Sequence, residues 1–257
     1  MNTLLAISGL GVFCLIAEIF NLRKLLVPVA IIGLLAILGL TISEYNMPSS
    51  HYNNMIIVSN FSVAFSSLFI VLTIFLVALS ADFYKDHQSK ISDFIAIKIF
   101  LLAGAIAMVS FGNLAMFFIG IEILSIPLYI LTGSDKKSLF SNEAAIKYFL
   151  MGSFSTGILL LGITFIYGAT GSFDLIPPDP SILNEQFMYS AGLILIFAAM
   201  NFKVSAAPFH FWTPDVYDGA PTIFTMFMST VVKTAGFAAL FHVFSGMFGG
   251  LYNTWAL

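Results

Sequence analysis

Charged residues are scarce in this chain. Asp, Glu, Lys and Arg make up 9% of its 257 residues, while 59% of the residues are hydrophobic. A typical soluble domain carries about 25% charged residues. Apolar runs of about 20 residues recur along the whole length, and each is long enough to cross a bilayer as a helix. The composition therefore excludes an ordinary soluble protein and predicts an all-α polytopic membrane protein in contact with the lipid bilayer.

Cysteine is almost absent as well. The single Cys14 excludes an internal disulfide bond and a metal cluster held by cysteines. The sequence also lacks a glycine-rich nucleotide fingerprint after a strand, a cluster of His residues and a haem attachment motif. We therefore expect no cofactor, no metal site, no redox chemistry and no nucleic-acid partner for this chain.

Eight apolar segments are predicted to span the membrane, and short polar or proline-containing gaps separate them. The first segment has no basic region before it and no small-residue cleavage site after it, so we interpret it as a true span. The predicted spans are residues 3–20, 25–43, 57–80, 91–110, 113–132, 142–168, 187–212 and 220–247.

The cations in the gaps alternate along the chain. The first, third and fifth gaps carry two cations each, and the second, fourth and sixth gaps carry none. Because short loops rich in Lys and Arg stay on the cytoplasmic (or equivalent) side, this pattern predicts a periplasmic N-terminus. The six loop cations are Arg23, Lys24, Lys85, Lys90, Lys136 and Lys137.

Several charged side chains fall inside the predicted spans, where each central charge costs roughly 2.5–3.5 kcal/mol on insertion scales. Glu122 is the clearest anion and lies near the middle of the fifth span. Pro127, five residues later, is expected to loosen the backbone beside it. We interpret Glu122 as functional, and the alternative is a structural carboxyl that is protonated or paired with another helix. The lysines within spans are Lys98, Lys147, Lys203 and Lys233.

Lys203 is the strongest candidate among the lysines because a proline follows it closely. Pro208 has no backbone N–H and clashes with the carbonyl of Val204, so it predicts a break in the seventh helix. In lipid, a freed carbonyl is tolerated only where it faces protein or a wet cavity. A broken helix beside a buried lysine is typical of ion paths in transporters. Lysine can also release its proton in such a site, whereas arginine cannot.

Lys147 and Lys233 are further candidates for a proton path. Lys147 follows Glu143 by four residues, which is the favourable order for an ion pair on a helix. Proximity to Glu122 would make Lys147 part of a proton switch. Lys233 lies about midway along the eighth span, beside hydroxyl residues that could hold water.

Two other titratable residues have weaker cases. His210 lies between two prolines, and a hydrogen bond to a broken-helix carbonyl explains it as well as a proton relay does. Lys98 is expected to extend its amine to the cytoplasmic interface, which makes it structural. We therefore predict that removal of Lys203 damages activity more than removal of Lys98.

Three motifs of the sequence stand out together. They are Phe118-Ile-Gly-Ile-Glu-Ile-Leu-Ser-Ile-Pro-Leu-Tyr-Ile-Leu131, Ala145-Ile-Lys-Tyr148, and Lys203 with Pro208-Phe-His-Phe-Trp-Thr-Pro-Asp-Val-Tyr-Asp-Gly-Ala-Pro-Thr222. With these motifs the sequence resembles the antiporter-like membrane subunits of the proton-pumping NADH:quinone oxidoreductase, respiratory complex I. The form Trp-Thr-Pro-Asp-Val-Tyr is similar to the subunit N branch of that family, and the resemblance covers about residues 55–247.

The resemblance implies an antiporter-like fold in which helices four to eight form the first of two inverted repeats. It divides the chain into residues 1–90, with helices one to three, and residues 91–257, with the repeat. Family members continue to about fourteen helices in such repeats, so we expect this chain to hold half of the proton path, as a truncated form, a fragment or a split subunit. The resemblance places four residues on that path: Glu122, Lys147, Lys203 and Lys233.

The resemblance also implies a function. The expected role is proton translocation in an energy-transducing membrane, the bacterial cytoplasmic (inner) membrane, beside other complex I subunits that include neighbouring antiporter-like ones. NADH, FMN, iron–sulfur clusters and quinone would be bound elsewhere in the complex. Two alternatives stay open: a cation/proton antiporter subunit, which shares the buried Glu and Lys pattern, and a membrane scaffold that conducts no protons.

Overall fold

The computed structural model describes residues 1–20, 22–80, 83, 91–175 and 186–246. Within these ranges, eight helical segments are long and apolar enough to cross a membrane. This agrees with the predicted all-α polytopic fold. The helices are α1 (Asn2–Ile19), α2 (Leu26–Ser43), α3 (Asn60–Leu79), α4 (Ile91–Ser110), α5 (Leu114–Thr132), α6 (Leu139–Thr170), α7 (Gln186–Val204), the short α8 (Thr213–Gly219), and α9 (Thr222–Phe227) with α10 (Lys233–Gly246), which a π turn over Met228–Val232 joins into the eighth span.

A small hairpin before α3 was not predicted. Strand β1 (Ser49–His51) pairs antiparallel with β2 (Ile56–Val58). The turn between the strands includes Asn53 and Asn54, which have positive φ angles that asparagine tolerates better than most residues. The third span therefore begins at Asn60 and not at residue 57. The apolar residues of β2 were included in the predicted helix because periodicity alone does not distinguish a short apolar strand from the first turn of a helix.

The hairpin also shows which gaps lie on the same side of the molecule. The Gly112 amide donates to the Met55 carbonyl at 2.9 Å, and the Leu114 amide donates to the Phe173 carbonyl at 2.8 Å. The second, fourth and sixth gaps are therefore in contact, as the alternation of loop cations predicts. The predicted third gap, with Lys85 and Lys90, and the loop that contains Pro177-Pro-Asp-Pro180 lie outside the described residues.

Helix α4 is at the centre of the molecule. In α4, 83% of the membrane-spanning window is buried, compared with 28% in α1 and in α2. Small residues allow its close contact with α5, since a Cβ atom added to Gly104 would meet the backbone of Leu124. Helices α6 and α7 approach each other in the same way where Gly162 faces Gly192. These close contacts join α4 to α5 and α6 to α7, and α5, α6 and α7 are the helices that surround the interruption of the seventh span.

Candidate functional site

The seventh span is interrupted, as the sequence predicts. Helix α7 ends at Val204, and Ser205 then adopts a left-handed conformation with a φ angle of 61°. Irregular backbone continues to Trp212, and α8 follows. Pro208 lies inside this irregular segment, where its fixed φ and missing N–H do not allow α7 to resume. The break thus begins three residues before the proline that predicts it.

The carbonyl groups at the end of α7 are satisfied by side chains from outside that helix. The Phe202 carbonyl accepts a hydrogen bond from Trp212 Nε1 at 3.1 Å. The Lys203 carbonyl accepts one from Lys233 Nζ at 3.2 Å. The freed carbonyls therefore face polar groups of the protein and not lipid, which is the condition for irregular backbone at membrane depth.

The side chain of Lys203 extends from α7 towards α5. The residue is 8% exposed, and its Nζ donates to Ser125 Oγ at 2.5 Å. The Ser125 hydroxyl donates in turn to the Ile121 carbonyl. Glu122 lies less than one turn before Ser125 and is close enough to Lys203 to interact with its charge. The structure thus places the Lys203 amine against the part of α5 that contains Glu122. Helix α5 stays helical through Pro127, so the expected loosening does not interrupt it.

A small cavity adjoins Lys203. About 20 Å³ of it is available to water, and its walls come from α5, α6 and α7. A cavity of about 10–15 Å³ can hold one water molecule if two to four polar groups surround it. The polar groups that line this one are Lys203, Tyr129, Tyr148, Ser155 and Thr156. The cavity therefore has room for about one water molecule among these polar residues.

Lys233 approaches the break from the eighth span. Its Nζ donates to the Ser205 hydroxyl as well as to the Lys203 carbonyl. The same ammonium lies 4.9 Å from the centre of the Trp212 ring, where a cation–π interaction stabilises it. The π turn of the eighth span ends directly before Lys233, and π turns are frequent at functional sites. Lys203 and Lys233 are also close enough to interact electrostatically.

Lys147 belongs to a different, more exposed cluster. Its Nζ lies 2.7 Å from Glu143, which confirms the predicted helix pair, and 2.6 Å from Asp215. Neither ion pair involves Glu122, so the structure does not bring Lys147 into the proximity of Glu122 on which its role in a proton switch depends. The contribution of Asp215 was missed, because it depends on α8 folding back against α6 across 68 residues of sequence.

We expect Asp215→Asn to have a small effect. The Lys147–Asp215 pair is partly exposed, such pairs contribute about 0–1 kcal/mol, and Lys147 keeps Glu143 as a partner. Thermal denaturation of the purified protein should shift by no more than a few degrees, and Asp218→Asn, in the same surface cavity, is the matched control. A large loss of stability in Asp215→Asn alone would show that this pair holds α8 in place.

His210 is exposed in the turn after the break, and its carbonyl accepts a hydrogen bond from the Thr213 amide at 2.9 Å. Within the described part of the chain, its side chain makes no hydrogen bond. The structure therefore does not bring the His210 side chain into the group formed by Lys203 and Lys233.

The prediction that Lys98 reaches the membrane interface is wrong. Lys98 is completely buried, and its Nζ lies 5.1 Å from the ring centres of both Phe224 and Phe227. It also lies 3.4 Å from the Ser80 hydroxyl at the C-terminal end of α3, where a cation is favourable. The cause is the packing of α9 over the Lys98 amine, which the local sequence around Lys98 does not show.

Comparisons with known proteins agree with these features. A family model described as NADH:quinone oxidoreductase/Mrp antiporter, TM, matches residues 112–257. The chain is 60% identical over 249 residues to NADH-quinone oxidoreductase subunit N of Flavobacterium johnsoniae. The aligned region covers 96% of this chain and 54% of that relative. The chain therefore spans about half the length of the curated relatives it matches.

Solved structures show the same architecture. A chain in respiratory complex I from Thermus thermophilus with bound aureothin matches with a TM-score of 0.81 and 32% identity, over 93% of this chain and 52% of that chain. A chain in the Mrp complex from Dietzia sp. matches with a TM-score of 0.80 over 99% of this chain and 51% of that chain. At 18% identity, the second likeness shows the fold alone.

Proposed function

Because the chain belongs to the NADH:quinone oxidoreductase/Mrp antiporter family of membrane proteins, we propose that it is a membrane subunit of a proton-translocating NADH:quinone oxidoreductase. Relatives named NADH-quinone oxidoreductase subunit N support this assignment. In the proposal, NADH, FMN, iron–sulfur clusters and quinone are bound by other subunits. The chain lies in the bacterial inner membrane beside those subunits, including neighbouring antiporter-like ones, with its N-terminus on the periplasmic side.

A buried lysine, Lys203, and a half-buried lysine, Lys233, meet at a helix break, and this carries the proposal. The Lys203 amine lies on the α5 side of the break, near Glu122, and the Lys233 amine reaches the break from the eighth span. Lysine is suited to proton carriage because it can gain and lose a proton in place, whereas arginine stays charged. Water in the cavity beside Lys203 would supply the connecting hydrogen bonds.

The arrangement of charges gives the path a means of moving protons. An ionised Glu122, less than one turn before Ser125 on α5, would attract the ammonium of Lys203, which donates to Ser125. A proton on Lys233 opposes that charge, because two ammonium groups at short range repel each other. Changes in the charge of Glu122 would therefore shift protons between the two lysines. Such changes would come from the neighbouring subunits, where the redox chemistry takes place.

We propose that Lys147 lies at the entrance to this path. With Glu143 and Asp215, it lines a surface cavity of about 160 Å³ on the α6 and α8 side of the break. This cavity is open and polar, whereas Lys203 is buried. Lys147 lies near the start of α6, and the gap directly before α6 carries Lys136 and Lys137. Because gaps rich in lysine face the cytoplasm, the entrance would face the cytoplasm as well.

Co-purification separates this function from that of a cation/proton antiporter, which also uses buried Glu and Lys residues. The protein is tagged in bacterial membranes, purified in a mild detergent, and tested for iron–sulfur signals by electron paramagnetic resonance and for NADH oxidation. We expect the iron–sulfur signals and the NADH oxidation activity to purify with the protein. A stable complex that contains neither iron–sulfur clusters nor NADH oxidation activity would overturn the proposed function.

A further inference from the structure

Ser205 is the residue at which the two sides of the break meet, and nothing in the surrounding sequence predicts this role. Its φ angle of 61° is in the left-handed region, which glycine adopts freely and serine does not. The other non-glycine residues with positive φ in the described ranges lie between α2 and α3, outside the spans. A left-handed serine inside an interrupted span therefore needs a local explanation, and such positions concentrate at functional sites.

The contacts of the Ser205 side chain supply that explanation. Its Oγ accepts a hydrogen bond from Lys233 Nζ and another, at 2.6 Å, from Thr213 Oγ1. Because hydroxyl groups rotate, Ser205 can also donate its own proton to Thr213. The Ser205 amide donates to the Phe202 carbonyl at 3.1 Å, which fixes the backbone in this conformation. One hydroxyl thus joins a lysine of the eighth span to the first residue of α8. A hydroxyl can accept one hydrogen bond and donate another at the same time, which is what a proton relay needs.

We propose that Ser205 relays protons between Lys233 and Thr213, an inference that rests on the proposed function. An N–H bond of the Lys233 ammonium breaks and its proton bonds to Ser205 Oγ, while the original Ser205 proton passes to Thr213 Oγ1. The original Thr213 proton passes to a water molecule. Lys233 ends as a neutral amine, both hydroxyls are again neutral, and the water becomes hydronium. The reverse order of steps reloads Lys233.

Ser205→Gly tests the relay without disturbing the backbone. Glycine adopts a φ angle of 61° without steric strain, which offsets the loss of the hydrogen bonds that Ser205 Oγ accepts, so the assembled complex should denature within a few degrees of the wild type. Proton pumping in inverted membrane vesicles should nevertheless fall by at least about tenfold, because proton transfer loses a positioned group. Ser67→Ala is the control, since among the residues that the structure describes the Ser67 hydroxyl bonds only to the Val63 carbonyl of its own helix. Pumping by this variant should match the wild type.

Thr213 provides a second, independent test. Thr213→Ser keeps the hydroxyl and should keep wild-type pumping, whereas Thr213→Val keeps the shape and should lose pumping at least about tenfold. A structural role for this side chain predicts the reverse order, because valine replaces the methyl and volume of threonine better than serine does. Wild-type pumping in Ser205→Gly, or equal pumping in the two Thr213 variants, would overturn the relay.

Lys233→Met, measured in the same membranes, separates failure of the relay from failure of the proposed function. If Lys233→Met loses pumping and Ser205→Gly does not, the relay is wrong and the proposed function stands. If Lys233→Met also pumps at the wild-type rate, both are overturned, because Lys233 then carries no protons. We expect both variants to lose pumping while reduction of ferricyanide by NADH, which reports assembled complex, stays at the wild-type level.

Discussion

Lys203→Met is expected to remove most of the proton pumping of the assembled complex. Methionine keeps the unbranched apolar stem of lysine but has no amine to donate to Ser125 or to respond to Glu122. A proton that must cross this point without the amine meets a higher barrier, and about 1.4 kcal/mol already slows it tenfold. We expect a loss of at least tenfold in the initial rate of vesicle acidification, normalised to NADH–ferricyanide activity.

Lys98→Met is the matched control for Lys203→Met. Lys98 is also buried, at 0% exposure against 8% for Lys203, but its amine lies beside Ser80 at the end of α3 and under the Phe224 ring of α9. If buried lysines were needed for folding and not for proton transfer, both variants would lose activity and subunit content together. We expect Lys98→Met to pump within about twofold of the wild type at equal subunit content. Equal pumping losses in the two variants would remove the special role of Lys203.

Glu122→Gln is expected to lower proton pumping by about tenfold while the complex stays assembled. Glutamine has nearly the same shape as glutamate but cannot carry the negative charge that favours an ammonium on Lys203. The half-buried position of Glu122 on α5 makes a folding defect from this isosteric change small. The pumping rate per NADH oxidised in vesicles measures the effect directly.

Glu18→Gln controls for the loss of a carboxylate from a membrane-spanning helix. Glu18 accepts a hydrogen bond from Arg23 Nε at 2.7 Å near the end of α1, outside the candidate site. Its replacement should leave pumping at the wild-type level. A normal rate of pumping in Glu122→Gln would exclude a charge switch at that residue and favour the scaffold function.

The spans and the break were predictable because they depend on local properties of the chain. Apolar length defines each helix, and Pro208 alone excludes a continuous seventh helix. Lys203 and Lys233 were identifiable for the same reason, since a charge inside an apolar run is visible in sequence. The structure adds that these two lysines meet at one break, which the sequence suggested only through the family resemblance.

The hydroxyl partners and the position of Lys98 were not predictable, because they depend on contacts between distant segments. Ser125 is 78 residues from Lys203 in the sequence, and it resembles any small residue in a membrane helix. Ser205 has no unusual neighbours in sequence, and its importance follows from a φ angle and from the reach of Lys233. Lys98 was predicted at the interface because its depth was counted along one helix, whereas α9 decides its environment.

A structure of the assembled complex that resolves water molecules would test the central claim most directly. The claim is that Lys203 and Lys233 are hydrated groups on a continuous proton path through the break. We predict ordered water in the cavity beside Lys203, hydrogen-bonded to Tyr129 or Ser155 and connected towards Glu122, and water at Thr213 on the far side of Ser205. A dry cavity, with the Lys203 amine enclosed by apolar side chains or lipid and no water within hydrogen-bonding distance of either lysine, would contradict the claim.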